Sequence, residues 1–192
     1  ILASWWNVDT VFTDERGYLK GFDKAKLNFV NPGVAHLLQK DAALDNLAET
    51  VSKTLEDLRL SENRYSVRKW DLAGFDIGVF PIWIDNDLVG AVVSLGFFKE
   101  GGPQRVAEVR ERFAAFGTSN DVIEVSLAKM RVLDEEDRSK FVSLVELTSQ
   151  EIVTLHLEIT QREDRIRELN KELGSRYKYD SMIGKSKPMQ AL

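Results

Sequence analysis

From Glu135 onward the chain carries an uninterrupted helical pattern, with no Gly or Pro before Gly174. Written in heptads, the a positions are Val145, Ile152, Ile159, Ile166 and Leu173, and the d positions are Phe141, Thr148, Leu155, Arg162 and Leu169. β-Branched residues dominate a, which predicts a parallel two-stranded coiled coil with these residues as its dimer seam. At 1.5 Å per residue, roughly 40 residues reach about 60 Å, more than a domain of this size covers. The competing expectation is an amphipathic helix packed on its own domain. The seam has faults. Thr148 and Arg162 occupy d positions, and the g-to-e pairing sets Glu158 against Glu163 of the partner subunit. A marginal coil is therefore expected, one that a coupling free energy of about 1–3 kcal/mol shifts.

Upstream the period changes. FDIGVFPIWI (75–84) and LVGAVVSLGFF (88–98) are rich in β-branched and aromatic residues and are separated by Asp85-Asn86-Asp87, which predicts a hairpin. RYSVRKWDL (64–72) predicts a further strand before it. Near the start, a β-prone run at 8–12, the polar turn Asp14-Glu15-Arg16-Gly17 and a second run from Tyr18 predict a smaller hairpin. Between these, Val34, Leu37, Leu38, Leu44, Leu47, Val51, Leu55 and Leu58 recur at three- and four-residue intervals, so residues 33–60 read as helical, broken near Asp41. KEGGP (99–103) ends the sheet run, and RVAEVRERFAAF after it reads as an amphipathic helix. The whole predicts an α+β fold: an antiparallel sheet flanked by helices, followed by the long C-terminal helix.

At 192 residues, 43% hydrophobic and 30% charged, the chain is long enough for one buried core and an arm. A formal net charge of −5 offers no basic field, so direct contact with nucleic acid or a membrane surface is not expected. With no Cys and only His36 and His156, neither a disulfide framework nor a metal site is expected, and no cofactor. Apolar runs such as VGAVVSLGFF (89–98) fall short of the ~20 residues of a membrane span, and no signal peptide opens the chain; a cytoplasmic location is expected. A start at Ile1 rather than Met is what a fragment of a longer protein would show.

Candidate chemistry is sparse. Gly184-Lys185-Ser186 looks like the end of a phosphate-binding loop, but such a loop needs a Gly five residues earlier, where Tyr179 stands. Asp85 and Asp87 share a turn, where Asp sits for backbone reasons, and no His or Cys accompanies them as base or nucleophile. No catalytic residues are assigned, and an enzyme is not expected. A phosphorylated receiver domain would need paired acids after its first strand, whereas here FTDE runs into a turn. Trp70, Phe80, Trp83 and Phe97, with Asp76 and Ser94 embedded among them, have the composition of a small-molecule pocket: apolar walls with a few placed polar groups. These six are the expected ligand contacts. The alternative is ordinary core in a ligand-free dimerisation module.

The closing stretch RYKYDSMIGKSKPMQAL resembles the start of the AAA+ ATPase domain of NtrC-like, sigma-54-dependent enhancer-binding activators. In those, a Phe or Tyr, a short gap, Ile-Ile-Gly, a Ser and Met-Gln mark the first turn and helix; the matching residues are Tyr179, Met182, Ile183, Gly184, Ser186, Met189 and Gln190. Their phosphate loop lies downstream, so the resemblance implies a chain that stops before its ATPase begins. GVFPIWIDNDLVGAVVSLGFFKE (78–100) and LAKMRVLDEEDRSKFVSLVELTSQEI (127–152) resemble the PocR-like sensory domain, a relative of PAS and GAF ligand-binding folds. The resemblance implies a PAS/GAF-like sensory domain at 1–133, a signalling helix at 134–174 and the first residues of an AAA+ domain at 175–192. It implies, further, a cytoplasmic regulatory domain of a bacterial transcription activator. Such a domain binds a small molecule and, as a parallel homodimer, controls assembly of the downstream ATPase.

Overall fold

The computed structural model describes residues 6–21 and 29–176, with side chains as far as Leu173. The stretch that resembles the start of an ATPase domain, from residue 177 on, lies outside the described residues. Internal contacts divide the chain into two units, Ile1–Gln150 and Glu151–Leu192.

In the first unit the elements run β1 (Asp9–Thr13), α1 (Pro32–Leu38), α2 (Asp41–Arg59), β2 (Ser66–Lys69), β3 (Asp76–Ile84), β4 (Asp87–Phe97), α3 (Pro103–Ala115) and α4 (Asn120–Lys129), then the start of α5 (Glu135–Arg176). The four strands form one antiparallel sheet in the order β1-β4-β3-β2. The molecule is thus of the α+β class.

Its centre is the β3–β4 hairpin. Asp85 and Asn86 take positive φ, 49° and 69°, the left-handed pair that a two-residue hairpin turn requires and that Asp and Asn tolerate. β4 carries two extra residues relative to β3, where the register shifts between Asp76 and Ile77 and between Ile82 and Trp83. Gly96, at φ +84°, sits at the first of these bulges and supplies the conformation that a side chain would resist. α1 starts where the side chain of Asn31 accepts the N–H groups of Gly33 and Val34 at 3.0 and 3.2 Å, with Pro32 in the first helical turn. The break expected near Asp41 falls at Gln39 and Lys40.

The small opening hairpin does not form as two strands. β1 pairs along its length with β4, and Leu19 makes a single isolated bridge to Thr13. The carboxylate of Asp14 accepts the N–H groups of Arg16 and Tyr18, at 3.0 and 2.9 Å, which holds the segment as a tight turn. Gly17 lies so close to the Ala48 carbonyl that no side chain has room there. The expected turn forms, and the ladder shortens to the one Leu19–Thr13 bridge, flanked by the Asp14 N–H donating to the Tyr18 carbonyl and the Lys20 N–H to the Phe12 carbonyl, both at 2.8 Å.

One face of the sheet, with Val11, Ile77, Val79, Ala91, Val93 and Leu95, packs on the apolar sides of α1 to α4, including Leu37, Leu47, Val51, Leu55, Phe113 and Ile123. The other face is closed from within the same unit. Phe141, on α5, meets the rings of Phe80, Phe97 and Trp6 at 6.1, 5.7 and 5.9 Å between centroids. Phe141, Val142 and Val145 are buried. Phe141 and Val145, read from the heptads as the opening of a dimer seam, are therefore core residues of their own domain. The first turns of α5 combine the 3.5-residue repeat with a role as lid over the sheet, and a repeat alone does not say what it packs on. Thr148 is half-buried, its hydroxyl donating to the Leu144 carbonyl at 2.9 Å. α5 is initiated by Asp134, whose carboxylate accepts the Asp137 N–H at 2.8 Å, with Glu135, Glu136 and Asp137 in the first turn.

The second unit is, among the described residues, the rest of α5. Ile152 is half-buried, whereas Leu155, Ile159, Arg162, Ile166, Leu169 and Leu173 are all exposed, Ile159 and Ile166 at 54% and 58%. Same-helix ion pairs occupy the polar flanks: Arg162–Glu158 at 3.3 Å, Arg167–Asp164 at 3.3 Å and Arg165–Glu168 at 3.4 Å. The apolar stripe has no cover within the described residues of the chain.

Candidate functional site

The short strand β2 shapes the site. It pairs with β3 only over Asp76–Val79, so the outer edge of β3 beyond Val79 has no strand beside it among the described residues. Pro81 stands on that stretch. The Trp70 N–H donates to the Phe75 carbonyl at 2.8 Å, which turns the backbone groups of the odd-numbered β3 residues toward β2. Pro81 shares that parity, so its missing N–H falls on the uncovered edge, where a strand tolerates proline.

In place of a strand, the end of α2 and the loop after it flank β3 here, and they leave a cleft of about 620 Å³. It is lined by Phe80, Pro81 and Trp83 of β3, by Leu58, Arg59, Asn63 and Arg64 from α2 and the loop after it, and by Glu146, Ser149 and Gln150 of α5. Phe80 faces α5, whereas Pro81 and Trp83 share the opposite face of the strand, so the cleft runs round the uncovered edge. The Tyr65 ring stacks on Phe80 at 5.4 Å and 16°, and the Arg59 guanidinium lies 5.9 Å from the centroid of the Trp83 ring. Aromatic surface, guanidinium charge and short polar side chains converge here, a set suited to noncovalent binding.

The six expected ligand contacts do not converge. Phe80 and Trp83 reach the cleft. Trp70 is fully buried in the helix-side core, its Nε1–H donating to the Asn46 Oδ1 at 2.8 Å and its ring edge-on to Phe75. Asp76 belongs to a separate hollow of about 350 Å³ beside β2, and its carboxylate accepts the Lys99 N–H at 2.6 Å and an Arg105 N–H at 2.8 Å. It holds the β4–α3 loop against the sheet. Phe97 is buried against Phe141, and Ser94 is buried with its hydroxyl unpaired among the described residues. Arg59, Arg64, Glu146, Ser149 and Gln150 were not singled out by sequence reasoning. Each is an ordinary surface residue in the sequence, and only the uncovered edge of β3 gives them a common site.

Elsewhere, Asp9 is a second buried carboxylate. It accepts the N–H groups of Val30 and Asn31 at 2.7 and 3.0 Å, ahead of α1, and Lys129 donates to the Val30 carbonyl at 2.8 Å. Burial pushes its pKa up to about 6, against the opposing pull of the two backbone N–H groups and of Lys129. Among the described residues no cluster of three or more His, Asp or Glu side chains is placed to hold a metal ion, and no helix is long and apolar enough to cross a membrane. Comparison with known protein families, with curated proteins and with solved structures gives no match.

Proposed function

We propose that this chain is a ligand-sensing regulatory segment of a bacterial sigma-54-dependent transcription activator. In this reading it is a PocR-like relative of the PAS and GAF folds that binds a small molecule in the cytoplasm. Through a parallel helical homodimer it governs assembly of an AAA+ ATPase domain that follows it. The observation that carries the reading is the double use of α5. Its residues Glu146, Ser149 and Gln150 line the cleft, and the same helix goes on to present Leu155, Ile159, Ile166, Leu169 and Leu173 to solvent at heptad spacing. A group that fills the cleft touches the element that would pair. Exposed apolar residues in this repeat are what a second copy of the helix covers. The ATPase part of the reading rests on the sequence similarity of residues 175–192 alone.

A thermal-shift screen of the 192-residue chain against a broad metabolite library tests it, followed by sedimentation equilibrium with and without any stabilising compound. At 100 times its dissociation constant a specific ligand adds about 2.7 kcal/mol to stability, well within detection. The expected result is a compound that raises the melting temperature and also changes the dimer dissociation constant. A chain that dimerises but is stabilised by nothing would instead be a ligand-free dimerisation module. A chain that stays monomeric at high concentration would overturn the reading.

A further inference from the structure

The geometry points to an aromatic monocarboxylate, a flat apolar body bearing one carboxylate, as the class of ligand this cleft takes; the inference rests on the ligand-sensing reading above. The anion requirement comes from Arg59 and Arg64. Both line the cleft, and among the described residues neither has a carboxylate partner. Elsewhere Arg68, Arg105, Arg110, Arg162, Arg165 and Arg167 each have an Asp or Glu beside them, while Arg112 and Arg138 have none among the described residues but do not line the cleft. In a chain of net charge −5, acidic groups are in surplus, so two guanidiniums that line one cleft without an acidic partner are placed for an anion. A planar guanidinium meets a carboxylate through two parallel N–H···O bonds, a fit that a point charge such as Lys does not give.

The aromatic lining sets the rest of the molecule. Trp83 is 36% exposed, lies on the same face of β3 as Pro81, and offers a flat apolar surface beside Arg59. An aromatic ring laid on Trp83 and Pro81 buries there while its carboxylate meets the arginines. Glu146 also lines the cleft and limits the charge: two cations and one anion there suit a monoanion better than a doubly charged phosphate ester. The volume of about 620 Å³ lies within the range of small-molecule sites, roughly 300–1,000 Å³. A ligand in the cleft lies beside Glu146, Ser149 and Gln150 of α5.

Isothermal titration of the 192-residue chain with benzoate, phenylacetate and 4-hydroxybenzoate, each beside its neutral amide, tests the assignment. At least one acid is expected to bind, at least tenfold tighter than its amide, and to lose tenfold or more in Arg59→Gln and in Arg64→Gln. Both arginines are exposed, so the variants keep the core, and unchanged melting temperatures verify it. If none of the acids binds, if amides bind as well as acids, or if both variants bind as wild type does, the assignment is wrong. The sensing reading fails separately: a neutral or cationic compound from the metabolite library that stabilises the chain independently of Arg59 and Arg64 would sink the ligand class and leave the sensor standing.

Discussion

Asp9 shows how a single buried charge leaves a measurable signature. Its carboxyl is raised from 3.8 to about 6, chiefly by desolvation. The folded state therefore holds this proton more tightly than the unfolded chain does. Asp9 weakens the fold when ionised above pH 6, and that penalty is relieved as pH falls through 6 toward 4. Relative to an Asp9→Asn variant, the wild type should gain stability on going from pH 7.5 to 4.5, by on the order of 2–3 kcal/mol in full. Urea denaturation of both proteins at the two pH values measures the difference, and parallel behaviour would contradict the buried, ionisable assignment. The sequence showed Asp9 as one acid among many, since burial is a property of the fold and not of the residue type. Asp76 is the converse. Its place among aromatics read as a ligand contact, yet both its oxygens are taken by the Lys99 N–H and Arg105.

At the scale of elements, α5 changes its work along its length. Phe141 is fully buried between Phe80, Phe97 and Trp6, so Phe141→Ala should cost about 3–5 kcal/mol of domain stability. Chemical denaturation at two protein concentrations checks this. A core residue gives the same loss at both, whereas a seam residue's effect shrinks once the dimer dissociates. Further along, Arg162 reaches Glu158 on its own helix at 3.3 Å, an exposed pair that gives the guanidinium a place outside the seam. Arg162→Leu removes the charge from a d position and should tighten the dimer about tenfold by sedimentation equilibrium. An unchanged or weaker dimer would mean a different register or no parallel pairing. The helix itself was plain in the sequence because its period persists for many turns. Its partner in the first turns was not, because Phe141 and Val145 satisfy a heptad and a domain core equally well.

For the whole molecule, the sheet was legible where alternation and turn chemistry agreed, as at Asp85-Asn86, and less so after the turn at Asp14 to Gly17, which forms as expected while the run from Tyr18 pairs at one bridge only. The cleft was only half legible. Phe80 and Trp83 announce themselves as aromatics in a strand, but Arg59 and Arg64 matter only because β2 stops at its pairing with Val79. That same short strand has a consequence for how copies of the molecule behave in a crowded solution. An uncovered stretch of β3 is a template for another chain's strand, and Pro81 blunts it by withholding a donor on the outward side. Pro81→Val restores the donor and adds a β-prone side chain, so the variant should scatter light and lose soluble protein faster than wild type on mild heating. Equal aggregation rates would show that the flanking loop, rather than the proline, guards the edge. Faster aggregation of the variant would make Pro81, a residue that lines the cleft, also a safeguard against fibre-like self-association.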